Sequence, residues 1–182
     1  MQAFELSPQA IDEVKEFFPL IRQHLQGYMQ ERDFIMSNSQ IFIFLTYIPT
    51  ALAISADKQV DQQEMRILDK IAKSIDANAL DLNLVELLSF APEPMNVMLN
   101  EEFNLRIGAE LLHIARDMDR YEKDFIEAVR LLLRFDKNPD ADTSMTKTFS
   151  NFMDQIVKNS LAINKDQELE KIIAYKKKLG II

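Results

Sequence analysis

Ala51-Leu52-Ala53-Ile54-Ser55-Ala56-Asp57-Lys58-Gln59-Val60-Asp61-Gln62-Gln63-Glu64 runs an apolar segment directly into three carboxylates spaced four and three residues apart. The apolar part reaches back to Ile41, and no charged residue stands between Asp33 and Asp57. Beyond the carboxylates, Ile67, Leu68, Ile71 and Ile75 recur at helical spacing and form one apolar face. The pattern predicts two core helices joined by an acidic turn. A second version follows at Leu111-Leu112-His113-Ile114-Ala115-Arg116-Asp117-Met118-Asp119-Arg120-Tyr121-Glu122, where Asp119 and Glu122 match the register of Asp61 and Glu64. The expectation is an all-α chain built on a duplicated helix-turn-helix, with an acidic turn in each half.

Composition agrees with that fold and excludes several functions. The 182 residues fit one domain, residues 1–182, and a hydrophobic share of 47% supplies its core. Three glycines and six prolines leave little of the turn chemistry that β-hairpins need. A formal charge of −8 and a pI near 4.8 repel nucleic acid phosphates and anionic membrane surfaces, so neither is an expected partner. Without cysteine there is no disulfide, no thiolate catalysis and no zinc-thiolate site. Met1-Gln2-Ala3-Phe4-Glu5-Leu6 lacks the basic start and apolar run of a signal peptide, which makes the cytoplasm the expected location. Ile41 to Ala56 is shorter than the roughly 20 residues of a bilayer span and contains Pro49, so it reads as a buried core helix, with no transmembrane segment.

Outside the two turns, caps and proline breaks divide the chain. Ser7-Pro8 opens a first helix, which Pro19 kinks or restarts before it continues to about Arg32. Ser37-Asn38-Ser39 caps the helix at 40–55, and Asp61 with Glu64 caps the next. A short helix from Asn78 or Asp81 through Leu88 ends before Pro92 and Pro94. Asn100-Glu101-Glu102 opens a long helix to about Arg116, and Asp119 with Glu122 opens the following one, which buries Phe125, Ile126, Val129, Leu132 and Leu133. After a polar loop at 136–143, two more helices start at Ser144 and near Asp166. The last carries Lys176, Lys177 and Lys178, read as a solvated terminus that suits the helix dipole.

Leu45 to Ile75, above all Ala56-Asp57-x-x-Val60-Asp61-x-x-Glu64, resembles the TerB-like tellurite-resistance family, whose members share an Ala-Asp-Gly-x-Val-Asp-x-x-Glu turn between two core helices. Asn104 to Phe135 looks like the second half of that fold, so the resemblance covers about residues 33–136. The helices at 7–32 and 144–179 are then additions at the two ends. Two positions depart from the pattern: Lys58 stands at the usual glycine, and Ala115 at the first aspartate of the second half, with Asp117 out of register. The resemblance implies an all-helical bundle of two pseudo-repeated halves whose acidic turns gather on one surface and bind a divalent cation. Carried over, the ligand set is Asp57, Asp61 and Glu64, joined by Asp119, Glu122 and Asp117. Clustered hard oxygens suit calcium, magnesium or manganese.

Two readings of the turns remain open. Asp61 with Glu64, and Asp119 with Glu122, are sufficient as helix caps without metal. The chain is then either a non-enzymatic cation-binding module in stress response, or a metal-independent scaffold whose terminal helices receive a protein partner or a second copy. No catalytic residues are assigned, since two histidines and no nucleophile-base constellation leave an enzyme without machinery. Asp136-Lys137-Asn138-Pro139-Asp140-Ala141-Asp142 starts like a calcium loop, but Ala141 replaces the glycine and Lys147 the closing glutamate, so it reads as an interhelical loop. Glu110-Leu111-Leu112-His113 matches half of a di-iron site without its second half, and His113 is expected as a hydrogen-bonded residue near a helix interface. Pro94-Met95-Asn96-Val97-Met98 is the best candidate for an adaptable partner surface.

Overall fold

The computed structural model describes residues 6–56, 62, 66, 70, 82–142, 144–159 and 165–182. Among them are seven helices and no strand: α1 Pro8–Glu31, α2 Asn38–Ser55, α3 Leu82–Leu88, α4 Asn100–Arg116, α5 Met118–Leu133, α6 Met145–Asn159 and α7 Lys165–Leu179. The fold is all-α. The helix that follows Asp61 lies outside these residues except at Gln62, Arg66 and Lys70, which are helical and exposed.

The centre is α2, whose mean hydropathy is high enough for a membrane helix but which is 94% buried inside the protein. Helices α4, α5 and α6 pack around it, while α1 lies along α5. Ser37 starts α2 with a reciprocal capping box: its hydroxyl accepts from the Gln40 amide, and the Gln40 side chain accepts from the Ser37 amide at 2.9 Å. Pro49 sits inside α2 and Pro19 inside α1, and both helices continue through them. The one-sided burial of α1, at Val14, Phe18, Ile21, Leu25, Tyr28 and Met29, holds it in place where a proline in a solvated helix would break it.

A Schellman motif turns α1 towards α2. Asp33 adopts a left-handed φ of 49°, its amide donates to the Gln30 carbonyl, and the Phe34 amide donates to the Met29 carbonyl at 2.8 Å. Aspartate tolerates that conformation better than most residues. From α4, Arg106 donates to the carbonyls of Arg32 and Asp33 at 3.0 and 2.9 Å and lies over the Phe34 ring. Burial of Phe34 and these two bonds fix the corner from which α2 departs.

Two local expectations change. Helix α5 starts at Met118 with Asp117 as N-cap, so Asp119 lies within the first turn and does not precede it; Asp117 makes no side-chain cap bond. The lysine run of α7 is not simply solvated. Lys176 is only 8% exposed and its ammonium donates to Asp154 at 2.6 Å, because α7 packs its inner face on α6. Lys178 reaches Glu122 on α5.

Candidate functional site

Asp57, Asp61 and Glu64 of the first acidic turn lie outside the described residues. The last residues before that turn do not. Ser55 closes α2; its hydroxyl donates to the Leu52 carbonyl at 2.7 Å and also bonds the phenol of Tyr175 on α7. Burial raises the Tyr175 phenol above its ordinary pKa, the Ser55 bond works in the opposite direction, and the negative charges of Glu122 and Asp119 raise it again. One phenol thus lies within the field of the second acidic turn while bonded to the helix end that leads into the first.

The second turn divides its carboxylates. Asp119 and Glu122 line a cavity of about 370 Å³ together with Lys123, Ile126, Glu127, Arg130 and Lys178, along one stripe of α5 facing the end of α7. The Lys178 ammonium stands 3.3 Å from Glu122 Oε1. Asp117 instead faces Arg120, 4.0 Å away, which also pairs with Glu31 of α1. Among the described residues, no three carboxylate or histidine side chains gather closely enough to hold a metal ion. Three cationic side chains, Lys123, Arg130 and Lys178, face the carboxylates of Asp119, Glu122 and Glu127 in the same lining.

The other polar groups singled out in the sequence have structural roles. Glu110 is 2% exposed and ion-paired with Arg32, whose Nε and Nη2 donate to its oxygens at 2.9 to 3.1 Å. These bonds raise the Arg32 pKa further. His113 Nε2 lies 2.8 Å from the Tyr121 hydroxyl at the α4 to α5 interface, as expected of it. In the 136–143 loop, Asp136 is buried and its Oδ2 accepts from the Thr146 amide at 2.9 Å, capping α6; Asn138, Asp140 and Asp142 are exposed. The loop joins two helices, as its missing glycine and glutamate imply.

Sequence reasoning missed Tyr175 and Lys178 at this site. The only available signal was the amphipathic register of α7, which places Ile172, Tyr175 and Leu179 on one face and leaves Lys178 beside it. Compared with models of known protein families, with curated proteins and with solved structures, the chain matches none.

Proposed function

We propose that this chain is a non-enzymatic, TerB-like helical module that binds a divalent cation at its acidic end in a stress response. What supports the reading is the junction at Tyr175, a phenol that bonds Ser55 at the α2 end leading to Asp57 and lies in the field of Glu122 and Asp119. Carboxylates gathered at such a junction would repel one another unless a positive charge stood between them. Calcium, magnesium or manganese is the cation that their oxygen chemistry favours. Asp57, Asp61 and Glu64 would supply the first ligands, with Asp119 and Glu122 completing the shell. Asp117, engaged by Arg120, contributes little.

The second reading is a metal-independent scaffold, and it is favoured by one contact. Lys178 already places a positive charge on Glu122. Thermal melting of chelator-stripped protein with and without millimolar calcium, magnesium or manganese separates the two. Under the first reading, a metal raises the melting temperature, and Asp57→Asn with Asp61→Asn abolishes that rise. If no metal raises it, the carboxylates act as caps and counter-charges, and the scaffold reading stands.

A further inference from the structure

A second cavity, of about 480 Å³, opens between α1 and the chain linking α3 to α4. It shares no lining residue with the acidic end. Its floor includes Met29 and Ile35, and Pro92 and Pro94 form part of the opposite wall. That wall is held in place. Asn38, buried at the start of α2, donates its side-chain amide to the carbonyls of Leu88 and Ala91 at 3.1 and 2.9 Å, and its backbone amide to Glu93 at 2.8 Å. Arg22 donates to the Asn38 side chain at 2.6 Å and to the Met36 carbonyl at 2.9 Å, and the Met98 amide donates to the Ile35 carbonyl at 2.9 Å. The groove is therefore preformed, which lowers the ordering cost of binding.

Arg22 and Glu93 are engaged with Asn38, but the carboxamides of the groove are uncommitted. Gln23, Gln26 and Gln30 on α1 and Asn96 on the facing wall are exposed in the groove, and none of these carboxamides bonds another described residue. A carboxamide both donates and accepts, which is the complement of a peptide edge. The three glutamines follow one stripe of α1. Gln26 and Gln30 stand about 6 Å apart along the axis, close to the roughly 6.6 Å at which an extended chain repeats its edge N–H and C=O groups. The charges in the lining are Arg22 and Glu93, one of each sign, so on a chain of net charge −8 this groove is neutral. Met95, between Pro94 and Asn96 on the lip, is wholly exposed and offers an adaptable apolar contact.

We propose that this groove receives an extended, uncharged peptide segment of a protein partner. The carboxamides of Gln23, Gln26, Gln30 and Asn96 bond its backbone edge, and Met95 packs on one of its apolar side chains. The inference is independent of cation binding. The test is nuclear magnetic resonance of the nitrogen-labelled full chain, titrated with end-blocked pentapeptides in which serine alternates with valine, leucine or tyrosine. Saturating shifts are expected at the side-chain amides of the four groove residues. Gln26→Ala with Gln30→Ala, two exposed changes that leave the core untouched, should weaken binding about tenfold or more. N-methylation of alternate peptide nitrogens, which removes the donors of one edge, should do the same. Absence of shifts with every peptide at millimolar concentration would overturn the proposal. So would shifts that survive both the double substitution and N-methylation, since the contact would then not be a backbone edge read by these carboxamides.

Discussion

Tyr28 lies on the inner face of α1 with its ring against Phe34, Phe44, Tyr121 and Phe125, at centroid distances of 5.3 to 6.3 Å. Its hydroxyl oxygen is buried and has no hydrogen-bond partner among the described residues. An uncompensated buried hydroxyl costs about 1–3 kcal/mol, whereas Phe at this position keeps every ring contact and removes only the oxygen. Allowing for the small void left behind, Tyr28→Phe should stabilise the protein by about 1 kcal/mol near neutral pH. The effect should grow in alkali. Burial, reinforced by Glu110 and opposed by Arg32, pushes the Tyr28 phenol far above its ordinary range. Below pH ~10 the phenol is protonated in both folded and unfolded chains and contributes no slope. Above it the unfolded chain releases a proton that the folded chain keeps, so stability falls as pH rises, by up to about 1.4 kcal/mol per unit for this group. Tyr28→Phe removes that component, while Tyr121 and Tyr175, also raised by burial, leave a residual slope. Urea unfolding at about pH 7 and about pH 11, followed by circular dichroism, measures both effects. A loss of about 1 kcal/mol at neutral pH would show that the hydroxyl is satisfied, and an unchanged alkaline slope would refute the titration argument.

Three other substitutions probe the acidic end, the corner and the groove wall. Lys178 and Glu122 are partly exposed, so their pair contributes under about 1 kcal/mol, and under the proposed cation-binding reading Lys178→Met should tighten calcium binding by no more than about fivefold; calorimetric titration that shows no tightening would remove Lys178 as a competitor. Glu110→Gln keeps one acceptor for Arg32 and should destabilise by about 1–2 kcal/mol in urea unfolding. A neutral result there would mean that Arg106 and the Phe34 packing hold the corner without the ion pair. Asn38→Ala strands the carbonyls of Leu88 and Ala91 and should cost about 2–3 kcal/mol. It should also speed hydrogen exchange at Met98, and unchanged protection there would mean that the wall stands without Asn38.

Much of the fold was legible because its determinants are local. Ser7-Pro8, the Ser37-Asn38-Ser39 cap and the prolines at 92 and 94 mark helix boundaries within a few residues, and each acts through its own backbone. The second acidic turn was legible as a turn but not in its detail, since spacing suggests Asp119 as the cap and the backbone puts Asp117 there. Likewise the solvated reading of Lys176 follows from composition, and only the approach of α7 to α6 brings it against Asp154.

The chain's own order of residues determined an all-α architecture, a charge-free central helix, and carboxylates at the turn between α4 and α5, because helix periodicity and capping act over three or four residues. Tertiary structure decided what those groups meet. Ser55 and Tyr175, or Glu122 and Lys178, are far apart in sequence, and no local preference specifies their approach. The groove beside α1 arises in the same way, from a proline-broken segment that Asn38 pins against a helix much earlier in the chain; such pairings come from burying apolar faces together, a property of the whole core rather than of any segment within it.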